Sequence, residues 1–396
     1  ITANVNKNGD GTTNNPVLTV ANTKVVVDPN DPTKAYQVDK DTPITVSSDA
    51  NGNPQYHVDA KVIQQDQKIP AKPGQNSQAV NDAAHVHYNS DGTKDVVSDI
   101  PGFQGQKGLA NNADTSNETL TPVDDIAKGV HLDDNGKDSG STADLPVKGD
   151  DNGNVVVTKN TVSPDGKYLI PQNTTIAKQG DQNYHADALP INNGIIKIND
   201  ANVNNSGAVK ANGDLDAKLD ANNNLVTAHD QIVKGNGSDN NYYIIPAGSP
   251  ITKDQATGKF NVNGNPIPIN PDGTISINNA NYDNKDNPSQ SVNAPITAHV
   301  DPATGKITVA QTSVINIPGD STTVLKAPAG EQITIAVDAN GNPQYHVAAT
   351  PLAQDVVRDA QTGTNGNTQV GGSSIHINHD GSQTINSNVK GFTGST

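Results

Sequence analysis

A stretch of ten residues, DANGNPQYHV, occurs twice in this chain, at residues 49–58 and again at 338–347. The two copies lie 289 positions apart, and the match continues without a gap from about residue 17 to residue 105 of the first copy. A repeat that restarts in this way indicates an array of similar structural units. The chain is therefore interpreted as one full period followed by the first third of the next, an excerpt from a longer array.

The match preserves apolar runs as well as turn residues. The run ITV at 44–46 falls on ITI at 333–335, and the pair Gly-Phe at 102–103 falls on Gly-Phe at 391–392. Val and Ile favour strands, whereas Asn, Asp, Gly and Pro favour turns. We therefore expect the two copies to fold as near-copies of one turn-rich β unit.

Two looser sequence patterns alternate inside the period. One has an Asp/Asn/Gly turn before an alternating apolar run, as in VDPATGKITVAQTSVINI at 300–317. The other opens with proline, as in LIPQNTTIAKQGDQNYHADALPI at 169–191. Their alternation predicts four β modules, of which the second has a long irregular start and the fourth closely repeats the first. The predicted modules are residues 1–107, 108–207, 208–295 and 296–396.

The repeated stretch itself predicts a β-hairpin. Alternating runs flank Asn51-Gly52, and Asn-Gly in this setting favours a type I′ turn, in which both central residues have positive φ. Pro54 has no amide hydrogen, so we expect it at the start of the second strand or on a sheet edge. Because side chains alternate along a strand, Tyr56 and His57 are expected on opposite faces.

The composition fits many short strands better than one large core. Hydrophobic residues make up 32% of the chain and aromatic residues 3%, which is lean for a globular interior. No segment keeps an apolar spacing of three or four residues over three helical turns, so no helix is predicted. The predicted fold is all-β, a tandem array of antiparallel, hairpin-rich modules that forms an elongated rod or filament. The modules are expected to resemble β-sandwiches, with a continuous β-solenoid as the alternative.

Charge and residue usage exclude several classes of function. The net charge is −16, with 42 acidic against 26 basic residues, and such a surface repels nucleic acid and anionic membranes. The absence of Cys excludes disulfides, thiolate metal sites and cysteine nucleophiles. No apolar stretch is long enough to span a membrane. A chain without Cys or Met has little to lose to oxidants, which fits a location outside the cell.

Two polar loops are candidate cation sites. Asn6, Asn8 and Asp10 have the alternating spacing of the first half of a calcium loop, but Val17 stands where a bidentate glutamate would be expected. The acidic loop at residues 133–144 has no recognisable ligand spacing. Ordinary turn chemistry explains both loops. We therefore predict no cofactor, with Ca²⁺ as the alternative.

Histidine and carboxylate patterns give little support to a catalytic or metal site. His85 and His87 are two residues apart on a predicted strand and share a face, but Ser374 replaces His85 in the second copy, so both are interpreted as surface residues. The only glutamates, Glu118 and Glu331, lie in no recognisable catalytic constellation. Neither a nucleophile elbow, a zinc-protease motif nor a phosphate loop is present. The chain is predicted not to be an enzyme.

The repeated Tyr-His pair is the candidate ligand-contact face. It consists of Tyr56 and His57 in the first copy, and of Tyr345 and His346 in the second. On outer faces of hairpins these side chains would contact host or matrix glycans. The alternative is a purely structural polar position, because no neighbouring residues complete a site.

The repeated phrases also carry a family resemblance. The DANGNPQYHV hairpins, the VDPATGKITV and IIPAGSPIT phrases and the background free of Cys and Trp resemble repeat regions of large cell-surface adhesin and stalk proteins of Gram-positive bacteria, of the lactic-acid-bacterial type. The resemblance implies an extracellular stalk or fibre, at the cell surface or in the cell wall, that supports adhesion or colony and biofilm cohesion. Its partners would be neighbouring repeats and other copies in a fibre. A glycan- or matrix-binding adhesin module is the alternative, followed by a polysaccharide-active enzyme.

Overall fold

The computed structural model describes residues 1–6, 17–205, 208–236, 241–263, 266–301, 304–337 and 343–395. These residues form strands joined by turns, and their one helical element is the short 3₁₀ turn Pro288–Gln290. The predictions of an all-β fold and of no α-helix are confirmed for this part of the chain. Within the same ranges, no helix has the length and apolar content that crossing a lipid bilayer requires.

Contacts divide the chain into two compact units. Unit 1 comprises Ile1–Asp165 and Gln172–Ala188. Its strands are β1 Ala3–Asn6, β2 Val17–Val20, β3 Lys24–Asp28, β4 Asp31–Val38, β5 Pro43–Ser48, β6 Pro54–Val58, β7 Lys61–Gln64, β8 Gln67–Pro73, β9 Val80–Tyr88, β10 Lys94–Ser98, β11 Phe103–Gln104, β12 Glu118–Pro122, β13 Asp124–Asp134, β14 Lys137–Gly149, β15 Val155–Val157, β16 Thr161–Val162, β18 Thr175–Lys178 and β19 Tyr184–Asp187.

Unit 2 comprises Gly166–Pro171 and Leu189–Thr396. Its strands are β17 Tyr168–Ile170, β20 Leu189–Asn192, β21 Ile195–Asn205, β22 Ala208–Leu219, β23 Leu225–Thr227, β24 Gln231–Lys234, β25 Tyr242–Ile245, β26 Ile251–Lys253, β27 Phe260–Asn263, β28 Ile267–Ile269, β29 Thr274–Asn284, β30 Val292–Val300, β31 Ile307–Val309, β32 Ser313–Ile317, β33 Asp320–Ala327, β34 Gln332–Val337, β35 Pro343–Ala353, β36 Val356–Gln361, β37 Thr368–Ile377 and β38 Gln383–Ser387.

Strand bounds and register repeat together with the sequence. Strands β3, β4 and β5 begin and end 289 positions before β32, β33 and β34. Lys24 pairs with Val38 in the first copy, and Ser313 pairs with Ala327 at the corresponding positions of the second. Register depends on which face of each strand is buried, and Val25 and Val314, at equivalent positions, are both buried. The expectation of near-copies of one β unit is confirmed for these strands.

A closed barrel of five strands, β13-β14-β15-β18-β19, lies in unit 1. Neighbouring strands pair antiparallel, except where β19 closes the barrel on β13 in parallel and His131 pairs with His185. Side chains alternate across a strand, so Leu132 on β13 and Leu145 on β14 are fully buried. A barrel this small needs few aliphatic side chains to fill it, which explains how a polar chain builds a core.

The same cyclic strand order occurs twice in unit 2, in β21-β22-β23-β26-β27 and in β29-β30-β31-β34-β35. In both cases the fifth strand returns to pair in parallel with the first. In the former, β23 reaches β26 through a bridge between Val226 and Pro250. The structural repeat is therefore a five-strand unit that is shorter than each predicted module. Its first strands begin at Asp124, Ile195 and Thr274.

Each predicted module boundary falls between two paired strands or inside one strand. The boundary at 107/108 separates β8 from β12, which pair in parallel. The boundary at 207/208 falls between β21 and β22, and that at 295/296 falls inside β30. The division into four modules stays a prediction.

The turn in the first DANGN stretch differs from the predicted type I′ geometry. The amide of Gly52 donates to the carbonyl oxygen of Asp49 at 3.0 Å, and within this turn only Gly52 has a positive φ, of 81°. The carboxylate of Asp49 accepts the amides of Asn51 and Asn53 at 2.9 and 2.8 Å, which favours a type I turn with aspartate in first place. The type I′ prediction is wrong here, whereas Pro54 begins β6 as predicted.

The same carboxylate-closed loop forms at residues 150–154 and 220–224. A two-residue type I′ turn occurs at Asn135 and Gly136, whose φ values are 51° and 74°. The turn of the second DANGN copy, at residues 338–342, lies outside the described residues. The first copy of the decapeptide thus contains a loop that carries its own hydrogen bonds.

Candidate functional site

The first predicted contact pair lies on the exposed hairpin β5–β6. The side chain of Tyr56 is 63% exposed, and His57 is exposed as well. His57 pairs with Thr45 of β5, and its Nε2 atom lies 2.8 Å from the Ser47 hydroxyl on the same strand. Both side chains are accessible to a ligand.

The second predicted pair has different surroundings. Tyr345 is half-buried and packs against the core of the β29–β35 barrel, and this burial raises the pKa of its phenol above the ordinary value. His346 lies 3.1 Å, Nδ1 to Oδ2, from Asp283 on β29. The parallel pairing of β35 with β29 therefore covers part of this Tyr-His pair. The second pair does not present the same exposed surface as Tyr56 and His57.

A third Tyr-His pair, missed in the sequence analysis, lies at Tyr184 and His185 on β19. It occupies the same place on the closing strand as Tyr345 and His346. The signal was present in the proline-led pattern at 169–191, which contains the letters YH. This third pair has a denser polar environment than the two that were predicted.

His185 lies between two carboxylates. The histidine is buried, and its Nδ1 atom lies 2.9 Å from Oδ1 of Asp133, whose Oδ2 accepts a hydrogen bond from Gln179 at 2.8 Å. Its Nε2 atom lies 3.2 Å from each carboxylate oxygen of Asp181. The hydrogen bond with Asp133 is the main reason that the pKa of His185 is raised, because it stabilises the charged ring. Both nitrogens of His185 thus have acidic partners.

His131 stands beside His185 on the neighbouring strand. The two rings have centroids 5.0 Å apart and planes inclined by 31°. The Nδ1 atom of His131 lies 3.0 Å from Oδ2 of Asp138, and this bond lowers the pKa of the Asp138 carboxyl. Among the described residues, His131, Asp181 and His185 form the group whose possible ligand atoms lie close enough to share one metal ion, all within 4.8 Å.

The acidic loop at 133–144, a candidate cation site in the sequence, connects two paired strands. It forms the end of β13, the turn and the start of β14, and it supplies Asp133 and Asp138 as partners of the two histidines. Asp144 accepts the amide of Gly129 at 2.8 Å. The loop therefore orients neighbouring groups. Of the other predicted cation loop, residues 7–16, with Asn8 and Asp10, lie outside the described part of the chain.

His85 and His87 lie on β9 and have different main partners. Nδ1 of His85 lies 3.0 Å from Asp99, and Nδ1 of His87 lies 2.8 Å from Asp66. In the second copy His376 keeps the contact of His87, with an aspartate at the equivalent position. These contacts agree with the interpretation of both residues as partly exposed polar positions.

Glu118, at the start of β12, is a buried carboxyl group. Among the residues that the structure describes, its Oε2 atom has no hydrogen-bond partner, and burial raises its pKa above the ordinary 4.5. The nearby Lys94 donates instead to the carbonyl oxygen of Ala113 at 2.6 Å. The folded protein therefore holds the proton of Glu118 more tightly than the unfolded chain does.

The variant Glu118→Gln should separate the cost of this buried charge from other effects of pH. In the native protein, stability is lost as the pH rises from about 4.5 through the folded-state pKa, because the buried group ionises there. Gln cannot ionise, so the stability of the variant relative to the native protein should rise from pH 4.5 to pH 7 in urea unfolding. The control is Glu331→Gln, at a glutamate that is not buried. A flat difference for Glu118→Gln would contradict the buried placement.

Comparisons with protein-family models, with curated proteins and with solved structures found no match to this chain.

Proposed function

We propose that this chain is an extracellular structural repeat protein that forms part of a cell-surface stalk or fibre and supports adhesion or cohesion between cells. The observation that carries the proposal is the recurrence of one five-strand order along the chain, in which the fifth strand pairs in parallel with the first. In the two five-strand units of unit 2, most of the core side chains come from the unit's own strands, so length can be added by repetition. The net charge of −16 favours a soluble surface.

Small-angle X-ray scattering of the whole chain tests the structural role. A compact protein of 396 residues would have a radius of gyration of about 21 Å. A stalk segment should have a radius of gyration well above this value, with a long tail in its distance distribution. A value near that of the compact protein would contradict the proposed stalk.

A glycan- or matrix-binding adhesin is the second candidate, favoured by the exposure of Tyr56. An aromatic side chain in solvent offers a flat apolar surface to a sugar ring. Glycan-array binding by the whole chain, lost in Tyr56→Ala and kept in Tyr242→Ala, would support it, since Tyr242 is also exposed. Turnover of a polysaccharide, abolished by one aspartate substitution, would contradict both candidates.

A further inference from the structure

We propose that His131, Asp181 and His185 bind a divalent transition-metal ion of the zinc class. Their possible ligand atoms lie within 4.8 Å of one another. Nε2 of His185 is 3.2 Å from both oxygens of Asp181. Two ligands of one tetrahedral zinc ion, each bound at about 2.0–2.1 Å, are roughly 3.3 Å apart. The buried histidine and the aspartate therefore already have the separation of two ligands of one ion.

Both histidines are oriented for metal binding through Nε2. Nδ1 of His185 lies 2.9 Å from Asp133, and Nδ1 of His131 lies 3.0 Å from Asp138. A metal-ligating imidazole commonly donates a hydrogen bond from its other ring nitrogen to a carboxylate, and this bond fixes the tautomer and the ring plane. The same arrangement occurs here at two neighbouring imidazoles, so Nε2 of each ring is the atom left for an ion.

Two paired strands and the turn before β19 position the three ligands. His131 and His185 are directly paired across the parallel strands β13 and β19. Asp181 lies in the turn before β19, where it accepts the backbone amide and the side-chain amide of Asn183, each at 3.0 Å. These bonds fix the orientation of the Asp181 carboxylate beside His185.

The local charge also favours a dication. Asp133, Asp138 and Asp181 surround two imidazoles, so three carboxylates lie within or next to the group. A divalent ion offsets this negative charge and is held by coordination bonds from the same side chains. His131 is half-buried and Asp181 is exposed, which leaves a path for the ion from solvent.

The other five-strand units change these residues at the same register. Where β13 and β19 pair His131 with His185, β21 and β27 pair Asn202 with Asn261. On β29 and β35, Asn281 pairs with His346. The donor set is therefore particular to one unit. The chain also supplies matched replacements, because asparagines occupy these positions in a folded neighbour.

The test is a titration of the whole chain with Zn²⁺ against a chromophoric chelator at pH 7.5, with Co²⁺ as a spectroscopic probe. We expect one zinc ion per chain and the visible absorption of tetrahedral Co²⁺. His131→Asn and His185→Asn should each weaken zinc binding at least about 100-fold, and Asp133→Asn about 10- to 100-fold through loss of orientation. His85→Asn, at a histidine that also pairs with an aspartate, should leave zinc binding unchanged.

The outcomes decide for or against the site. Failure to bind zinc, or zinc binding that survives both His131→Asn and His185→Asn, would overturn the proposal. Far-UV circular dichroism checks that the variants fold, which is expected because Asn202 and Asn261 fill these positions elsewhere. Should a histidine variant unfold, the exposed Asp181→Asn decides, and unchanged zinc affinity there would equally overturn the site.

Discussion

Replacement of Leu132 by Ala is expected to lower the free energy of unfolding by about 2–5 kcal/mol. Leu132 is fully buried in the β13–β19 barrel and pairs across the closing strands with Ala186. Ala186 is too small to fill the cavity that the substitution leaves. The loss of buried apolar surface and the cavity itself therefore both lower the free energy of unfolding. Urea unfolding followed by far-UV circular dichroism and tyrosine fluorescence measures the change.

The matched control is Ile126→Ala on the same strand. Ile126 is 49% exposed, so its truncation should cost about 0.5 kcal/mol or less. Leu132→Ala removes carbon atoms from the buried face of β13, whereas Ile126→Ala removes them from the exposed face. Equal losses would show that β13 does not have one buried and one exposed face.

The variant Gly102→Ala is expected to cost about 2–5 kcal/mol, the second large effect. Gly102 has a φ of 79°, and an added Cβ would lie 2.6 Å from the backbone nitrogen of Gly149 and 2.9 Å from the carbonyl carbon of Lys148. The carbonyl of Gly102 also accepts the amides of Val123 and Gly149, at 2.8 and 2.9 Å. The cost combines left-handed strain of about 1–2 kcal/mol with overpacking of about 1–3 kcal/mol.

The sequence repeat provides the control for this variant. Gly391 stands 289 positions after Gly102 and has a φ of 85°, but an added Cβ would meet no atom of the described residues within 4 Å. Gly391→Ala should therefore cost only the backbone strain, about 1–2 kcal/mol. Urea unfolding of both variants measures the difference. If Gly102→Ala cost no more than Gly391→Ala, the close approach of Gly102 to β14 would be wrong.

Local sequence predicts strands well in this chain and turns less well. The letters DDNG occur twice, beginning at Asp133 and at Asp150. The first forms a type I′ turn, whereas the second closes a five-residue loop in which Asn154 donates to the Asp150 carboxylate at 2.9 Å. In the first, Lys137 stands where the loop needs asparagine, and the Asp133 carboxylate binds His185. Its partner lies on a distant strand, so the local pattern cannot predict the turn.

The predicted contact residues show the same limit. The alternating pattern predicted strands at Tyr56 and at Tyr345, and the sequence repeat predicted that the two strands would be alike. Both strands are present. It could not predict that β35 pairs with β29 and half-buries Tyr345. The His131–His185 cluster depends on the same kind of closure, because its strands are paired in space and distant in sequence. Strand partners follow from how a whole unit closes, which single-strand patterns do not encode.

Closure of the five-strand units also bears on misfolding. A strand at an open sheet edge exposes amide and carbonyl groups that template pairing with a foreign strand. In a chain of repeated units, another unit carries a similar strand, so mispairing between units is a characteristic hazard. The parallel pairing of β19 with β13, and of β35 with β29, uses these edges within the unit to which they belong. Self-closure thus lets repeated units stand in one chain without offering these strands to one another.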